Sequence, residues 1–303
     1  MSQINSPQSG AGHRLGLLMV TGAAVAWSTA GFFVRLIALD SWTMLVWRGF
    51  FAALGLLAVI AARDRSRIWL GFARLGWQGL AYAALATFGM TVFILALDHT
   101  SVAHVAVIYA TAPFLAAALG WIFGREHPSA KAMAASCAAL TGVGVMAGFA
   151  PEGGLLGDCL ALAMTMAMAG LIVLARRRPD IETLPASCLA CALTALVSLP
   201  FAAGIVPSGP LVAELALFGI INSALGIALF MIGSRLLPPI ESALISALDA
   251  PLAPLLVWLA FGEKPTMPTL IGGGIVFAAV TAHILSGFSR EASATACSRN
   301  SPP

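Results

Sequence analysis

The fold of this protein is decided by PPIESALISALDAPLAPLLVWLAFGEKP, residues 238–265, because a diverged copy of the stretch occurs earlier in the chain. The copy reads SVAHVAVIYATAPFLAAALGWIFGREHP and occupies residues 101–128. Pro113 and Pro251 align at an offset of 138, and the FG-E-P endings align after a one-residue adjustment. Each stretch is apolar and long enough to cross the roughly 30 Å hydrocarbon core of a bilayer as a helix. The repeat predicts two halves built to one membrane-spanning plan.

A second pair of segments supports the same division. GLLMVTGAAVAWSTAGFFVR at 16–35 matches GDCLALAMTMAMAGLIVLAR at 157–176 at an offset of 141, glycine to glycine and arginine to arginine. Each match has low identity. Both matches occur in the same order along the chain, which indicates an internal duplication.

The composition is that of a polytopic membrane protein. The chain has 303 residues, of which 59% are hydrophobic and 10% charged, with a mean hydropathy of +0.93. Soluble domains carry about 25% charged residues. Apolar runs long enough to span a bilayer recur along the whole sequence. We predict ten membrane-spanning helices, over residues 15–39, 42–62, 76–97, 101–123, 131–149, 156–175, 185–204, 211–233, 239–260 and 267–287.

The positive charges predict the orientation of these helices. With the N-terminus in the cytoplasm, thirteen of the 16 Lys and Arg residues lie in cytoplasmic segments, Lys264 and Arg35 lie near the outer face, and Arg48 lies within the bilayer. Cytoplasmic loops are enriched in Lys and Arg, so we expect both termini to be cytoplasmic. The predicted plan is a tail over 1–13, a five-helix repeat over 14–149, a second repeat over 152–287 and a tail over 288–303.

The number of helices in each half has a mechanistic meaning. Because five is odd, the second half enters the membrane from the opposite side, and the predicted fold is an all-α membrane protein of two inverted five-helix repeats. Inverted repeats place a substrate site near the midplane, where the halves meet, and open it alternately to either side. The architecture therefore predicts a transporter.

The two halves resemble the EamA module of membrane carriers. The resemblance rests on a mid-helix proline followed by glycine and glutamate in each half, namely Pro113, Gly124 and Glu126, then Pro251, Gly262 and Glu263. Trp27 in helix 1 and the stretch WRGFFAALGL at 47–56 are similar too. The resemblance covers about residues 14–287.

This resemblance implies a ten-helix carrier of the drug/metabolite transporter superfamily. Such carriers are bacterial inner-membrane proteins that often export amino acids, related metabolites or toxic compounds. The four-helix relatives carry a functional acid in helix 1, where this chain has Trp27, Ser28 and Thr29. Their cation/proton antiport mechanism therefore does not carry over.

Asp249 is the first candidate functional residue. It lies about halfway along helix 9, in an almost wholly apolar run, beside Pro251 and Pro254. A charge at the bilayer centre costs on the order of 2.5–3.5 kcal/mol on insertion scales, so such residues usually face a cavity or an ionic partner. We predict either a substrate counter-ion or a proton-carrying site. The alternative is a structural pair or a hydrogen bond between helices.

Arg48 is the second candidate, roughly 10 Å below the outer face at 1.5 Å per residue. Asp249 is roughly 16 Å deep by the same count. The two side chains are expected either to pair with each other or to frame a zwitterion between them. A structural Arg that reaches toward the outer surface is the alternative.

Further candidates would line the wall of a binding site. Asn222 and Ser223 form a polar pair in the middle of helix 8 that either lines a cavity or hydrogen-bonds a neighbouring helix. The remaining candidate substrate-binding residues are His104, Tyr109 and Thr111 in helix 4 and Trp27 in helix 1.

The motifs of membrane-embedded enzymes and ATP-driven pumps are absent. The sequence has no HExxH, no GxSxG and no P-loop. We predict no catalytic activity, no metal, no cofactor and no nucleic-acid partner. The predicted function is secondary active transport of a small organic metabolite, an amino acid or a related compound, with export favoured. Protons are a candidate coupling ion, the lipid bilayer is the medium, and the protein is a monomer or a homodimer. The alternative is a membrane-embedded enzyme or a channel without gradient coupling.

Overall fold

The structure is a computed structural model that describes residues 10–37, 39–64, 68–100, 102–124, 130–147, 154–178, 180–203, 207, 209–262 and 267–282. Within these ranges nearly all of the chain is helical, as the predicted fold class requires. In the described part of the chain, seven helices are long and apolar enough to cross a membrane, and three shorter apolar helices accompany them.

We number the ten apolar helical segments span 1 to span 10. Three of them are interrupted: span 1 (Gly10–Ser28 and Ala30–Ile37), span 4 (Val102–Tyr109 and Ala112–Gly124) and span 9 (Pro239–Ser246 and Asp249–Phe261). Span 8 changes its winding, from α-helix at Gly209–Leu217 to π-helix at Phe218–Leu225 and back to α-helix at Gly226–Gly233. The continuous segments are span 2 (Ser41–Asp64), span 3 (Gly76–His99), span 5 (Ala130–Ala147), span 6 (Leu155–Arg177), span 7 (Thr183–Ser198) and span 10 (Met267–Ala282).

Three short helices connect the spans. The helix Ile68–Ala73 lies between spans 2 and 3, and single 3₁₀ turns follow span 7 at Leu199–Phe201 and span 8 at Ser234–Leu236. The connections described are short, so consecutive spans run in opposite directions. We call the end at which span 1 begins the terminal end of the bundle and the other the opposite end.

The internal duplication is visible in spans 4 and 9. Each consists of an eight-residue helix, a two-residue turn and a thirteen-residue helix. The four helix bounds of span 4 recur in span 9 at an offset of 137, one residue less than the offset of the prolines. The prolines Pro113 and Pro251 follow the two breaks, consistent with the loss of a backbone donor and the steric demand of the ring in a helix.

The packing of the spans also repeats between the halves. Span 1 packs against span 8, and span 6 packs against span 3. Span 2 contacts span 8 as span 7 contacts span 3, and spans 2 and 7 pack against each other. Span 1 contacts span 9 as span 6 contacts span 4. Exchanging the two halves therefore leaves this set of contacts unchanged, as a two-fold relation between repeats requires.

Small residues let the spans approach closely. A Cβ atom on Gly142 of span 5 would lie 2.6 Å from the Gly272 carbonyl oxygen of span 10, and one on Gly49 of span 2 would lie 2.8 Å from the Cys191 carbonyl oxygen of span 7. Helices in a bilayer associate through such close backbone contacts because lipid is as apolar as their side chains. Large apolar side chains such as Leu18 and Leu259 are instead exposed on the outside, where lipid would cover them.

Candidate functional site

The first element of the site is the interruption of span 1 at Thr29. The hydroxyl of Ser28 donates to the Val25 carbonyl at 2.7 Å, and that of Thr29 donates to the Ala26 carbonyl at 2.6 Å. Such local bonds compete with the helical ladder and bend helices. At such an interruption, backbone carbonyls can accept a further donor from a neighbouring helix, and polar groups inside a membrane protein are paired within the protein.

Asn222 of span 8 supplies that donor. Its side-chain amide donates to the Ala26 carbonyl at 3.1 Å and to the Trp27 carbonyl at 2.9 Å. Both hydrogen bonds join the second half of the chain to the first. Of the two alternatives that the sequence left open for this residue, the structure therefore shows a hydrogen bond to a neighbouring helix.

Ser223, the next residue, faces a different neighbourhood. It borders a small cavity between spans 2, 3, 7 and 8 that has room for about one water molecule. The polar residues of the cavity wall are Arg48, Cys191, Thr194 and Ser223, and its apolar members include Leu45, Ala52 and Met90. The π-helical turns at Phe218–Leu225 contain both Asn222 and Ser223, and π-bulges frequently occur at functional sites.

Arg48 provides the charge of this cavity. Its guanidinium carbon lies 5.5 Å from the centre of the Phe218 ring, a cation–π contact between spans 2 and 8. Among the residues that the structure describes, none forms a salt bridge or a side-chain hydrogen bond with Arg48. In particular, Asp249 does not pair with it in the described part of the chain.

Asp249 lies at the break of span 9, as the first residue of the helix Asp249–Phe261. It is close enough to Tyr109 for its charge to act on the phenol, and Tyr109 is the last residue before the corresponding break of span 4. The breaks of spans 4 and 9 therefore carry a tyrosine and an acid at their edges. Asp249 is not part of the wall of the cavity that Arg48 borders.

The other predicted wall residues are distributed around these two places. The Trp27 ring packs 5.1 Å from the Phe230 ring, and Gly226 leaves room for its indole, because a Cβ there would lie 2.6 Å from Nε1. Thr111 lies in the turn that interrupts span 4, and its hydroxyl donates to the Ile108 carbonyl at 2.6 Å. His104 belongs to the helix Val102–Tyr109, but its side chain lies outside the described part of the structure.

Sequence reasoning missed Cys191, Thr194, Met90 and Phe218 as neighbours of Arg48. All lie in apolar runs, where nothing but three-dimensional packing distinguishes them from lipid-facing residues. Cys188 and Cys191 are both buried. The thiol of Cys188 donates to the Ala53 carbonyl of span 2 at 3.3 Å. No cluster of three or more His, Cys, Asp or Glu side chains suited to a metal ion occurs among the described residues.

Polar contacts at the terminal end join span 1 to span 9 and span 8 to span 7. His13 of span 1 contacts Glu241 of span 9, with 3.1 Å between Nε2 and Oε2. This contact joins the two halves within a few residues of where spans 1 and 9 begin. Within the second half, Arg235, after span 8, donates to the Thr183 hydroxyl at 3.0 Å and to the Ile181 carbonyl, both at the start of span 7.

Two other contacts lie at the opposite end. The Thr100 hydroxyl donates to Asp158 at 3.0 Å, between the end of span 3 and the start of span 6. Asp40 caps span 2 by accepting the backbone N–H of Thr43 at 2.9 Å, and the Thr43 hydroxyl accepts the N–H of Ala203 at 3.2 Å. Hydrogen bonds from the hydroxyl and then the backbone of Thr43 hold the pKa of Asp40 below its ordinary value of 3.8.

Comparison with known proteins agrees with this architecture. The sequence model of the EamA-like transporter family matches residues 14–148 and again residues 155–284. Among solved structures, one crystal structure of a protein with 20% sequence identity aligns over 90% of this chain and 98% of its own, with a TM-score of 0.77. At this identity the similarity concerns the fold. A search of curated proteins found no significant match.

Proposed function

Because the chain belongs to the EamA-like transporter family, we propose that it is a secondary active transporter that exports a small organic metabolite, an amino acid or a related compound, by alternating access. We place it in the inner membrane of a bacterium with both termini in the cytoplasm, on the distribution of Arg and Lys between the two sides. The absence of a P-loop motif from the sequence supports a gradient or exchange as the driving force.

One observation carries the proposal: a cavity with a charged wall lies between the two repeats. Spans 2 and 3 of the first half and spans 7 and 8 of the second half enclose it. Inverted-repeat carriers bind their cargo where the repeats meet, near the bilayer midplane. In the form described the cavity has room for about one water molecule, so cargo binding would require the spans around it to move apart.

The helix interruptions support a mechanism of alternating access. Spans 1, 4 and 9 are interrupted and span 8 is π-helical at Phe218–Leu225, so four of the described spans contain a point at which the helix can bend. Transporter binding sites are typically formed by such discontinuous helices. We propose that bending at these points closes the cavity toward one side while it opens toward the other.

We propose that Asp249 couples this motion to protons. The carboxylate is near the Tyr109 phenol at the junction of two broken spans, and none of the described residues forms a salt bridge with it. Ionisable side chains in such places are typical of proton relays in transporters. A proton that binds Asp249 would remove a charge at the point where spans 4 and 9 meet and so change the relative stability of the two open forms.

Transport in proteoliposomes tests the proposal. Wild-type protein is compared with Asp249→Asn on a panel of amino acids and organic cations, with and without an imposed pH gradient. We expect saturable flux in the wild type, uphill accumulation driven by the pH gradient, and loss of that accumulation by about tenfold or more in the variant, with exchange retained.

Asp158→Asn is the matched control, because Asp158 lies near the start of span 6, where Thr100 contacts it. This variant should accumulate cargo as the wild type does. Accumulation by Asp249→Asn at the wild-type level would exclude coupling through Asp249. The lack of saturable flux of every compound in the wild type would exclude the proposed transport.

A further inference from the structure

The described wall of the cavity between spans 2, 3, 7 and 8 carries charge of one sign, which is positive. Arg48 borders it, and no Asp or Glu is among the described residues of its wall. We infer that the cargo of this cavity is a small organic carboxylate, bound through its anionic group by Arg48 and Ser223, and that binding does not require an amino group. This inference rests on the proposed transport and narrows its substrate class.

The hydrogen-bonding state of Arg48 is the first argument. A guanidinium has five N–H donors and no acceptor. The contact with the Phe218 ring, 5.5 Å from the guanidinium carbon to the ring centre, engages the charge but is not a hydrogen bond to any of these donors. No side chain or backbone carbonyl in the described part of the chain accepts a hydrogen bond from Arg48. Its donors are therefore available to a group inside the cavity.

The energetic cost of an unpaired guanidinium points to an anion as that group. An ion transferred into a low-dielectric interior loses several kcal/mol of hydration unless a counter-charge or hydrogen bonds replace it. Charged groups inside membranes are rare and usually mark substrate or ion paths. Arg binds planar carboxylates through two parallel hydrogen bonds, a geometry that Lys does not offer. A carboxylate would thus satisfy both the charge and the donors of Arg48.

The hydroxyls of the wall fit the same group. Ser223 makes no side-chain hydrogen bond with any described residue, so its hydroxyl can donate to a carboxylate oxygen. The Thr194 hydroxyl already donates to the Ala190 carbonyl of its own helix at 2.8 Å, which leaves Arg48 and Ser223 as the strong donors of the wall, beside the weakly donating thiol of Cys191. A carboxylate accepts at both oxygens and can bind both residues at once.

The position of Asp249 removes the reason to expect an ammonium group on the cargo. A zwitterion held between Arg48 and Asp249 would require both side chains in one wall. Asp249 instead lies beside Tyr109 at the breaks of spans 4 and 9 and does not border this cavity. Recognition in the cavity therefore depends on the acid group of the cargo.

Compounds that share an isobutyl group test this inference on the full-length protein. Leucine, 4-methylvalerate, leucinamide and 3-methylbutylamine differ in whether they carry a carboxylate, an amine or both. Their binding to purified protein is measured by calorimetry, and their transport is measured in proteoliposomes. We expect the two carboxylates to bind and to be transported with affinities within about threefold of each other. The amide and the amine should bind at least about tenfold more weakly, because a charge-assisted hydrogen bond contributes about 1.5–3 kcal/mol.

Variants separate the roles of the residues. Arg48→Gln should weaken 4-methylvalerate binding by about tenfold or more, Arg48→Lys should retain part of it, and Ser223→Ala should weaken it by about three- to tenfold. Arg74→Gln removes an exposed charge, and Ser246→Ala removes a hydroxyl bonded to its own helix, so both should bind as the wild type does. Elution volume and Tm show whether each variant is folded.

The outcomes distinguish this inference from the proposed transport. Binding of the carboxylates without transport would leave the inference standing and exclude the transport function. Transport with equal affinity for 3-methylbutylamine would leave transport standing and overturn the inference, as would unchanged binding by folded Arg48→Gln or Arg48→Lys. Competition by inorganic phosphate equal to that by 4-methylvalerate would overturn the assignment to organic carboxylates. If no compound binds and none is transported, both the inference and the proposed transport are excluded.

Discussion

Two pairs of spans occupy equivalent places in this bundle and differ in regularity. Spans 6 and 3 are continuous helices of 23 and 24 residues. Their counterparts, spans 1 and 8, are interrupted at Thr29 and π-helical at Phe218–Leu225, and Asn222 joins the two irregularities. The fold tolerates a regular pair at this place, so the irregularity of the other pair is not required by the architecture. It occurs beside the cavity, and Ser223, in the π-helical turns, borders that cavity.

We expect the largest loss of stability from Asn222→Leu, a change in the irregular pair, spans 1 and 8. The change removes two donors from the Ala26 and Trp27 carbonyls. Because interhelical hydrogen bonds in membranes contribute about 0.6 kcal/mol on average and about 1.7 at most, we expect a loss of about 1–3 kcal/mol in the free energy of unfolding, with a lower transport rate. Unfolding in a denaturant series measures the loss.

The control for Asn222→Leu is Thr91→Val in span 3. The Thr91 hydroxyl donates to the Thr87 carbonyl of the same helix, so its loss breaks no contact between spans. We expect a change below about 0.5 kcal/mol, as for substitutions away from special features. Equal losses in both variants would show that the two pairs do not differ in the way proposed.

The next effect concerns how closely the two spans of each pair approach each other. A Cβ on Gly226 would lie 2.6 Å from Nε1 of Trp27, whereas one on Gly170 of span 6 would lie 3.5 Å from the nearest atom, in Leu85. Gly226→Ala should destabilise the protein by about 1–3 kcal/mol through overpacking. Gly170→Ala should be neutral or stabilising by up to about 1 kcal/mol, because Ala has the higher helix propensity. The Tm of each variant, measured in one detergent, tests this expectation. An unchanged Tm for Gly226→Ala would contradict it and would mean that span 1 can move away from the added methyl group.

A smaller effect is expected at the ends of the regular pair. Asp158→Asn keeps an acceptor for the Thr100 hydroxyl and removes only the charge. Charge-assisted hydrogen bonds at partly buried helix ends contribute modestly, so the Tm should fall by no more than about 2–3 °C, corresponding to less than about 1 kcal/mol. A larger fall would indicate that spans 3 and 6 depend on this contact as spans 1 and 8 depend on Asn222.

The smallest effect is expected at Asp40, which lies outside both pairs. Asp40→Ala removes the cap of span 2 and should cost about 0.5–1 kcal/mol at neutral pH. Since the pKa of Asp40 is lowered on folding, its contribution is complete above the ordinary value of 3.8 and is lost as the pH falls below it. The Tm difference between wild type and variant should therefore be constant above about pH 5 and shrink in stronger acid. A difference that grows in acid would contradict the assignment.

The sequence predicted the architecture because the architecture depends on patterns that run along the chain. Apolar length predicts spans, and the matched prolines Pro113 and Pro251 predict the repeat. The two lone intramembrane charges, Arg48 and Asp249, are visible for the same reason. Their neighbours are not, because the depth of a residue along its own helix does not determine which helix lies beside it. The sequence left a pair between the two charges open, and the structure shows none among the described residues.

The polar pair in span 8 shows where prediction from sequence ends. Asn222 and Ser223 are adjacent, and the sequence gives one pair of alternatives for both. In the structure, the amide of Asn222 donates to carbonyls of span 1, whereas Ser223 borders the cavity. The division depends on the interruption at Thr29, which frees the carbonyls, and on the π-helical winding, which changes the direction of consecutive side chains. Neither follows from hydropathy.

Spans 4 and 9 are divided identically, and in each the break separates a short helix from a long one, which we call the short arm and the long arm. At 1.5 Å per residue, an arm of thirteen residues is about 20 Å long and one of eight residues about 12 Å. A rotation of about 10° at the break would thus move the tip of the long arm by about 3 Å and that of the short arm by about 2 Å. Span 4 directs its long arm to the terminal end and span 9 to the opposite end. The same small rotation therefore has its largest displacement at opposite mouths of the bundle in the two spans.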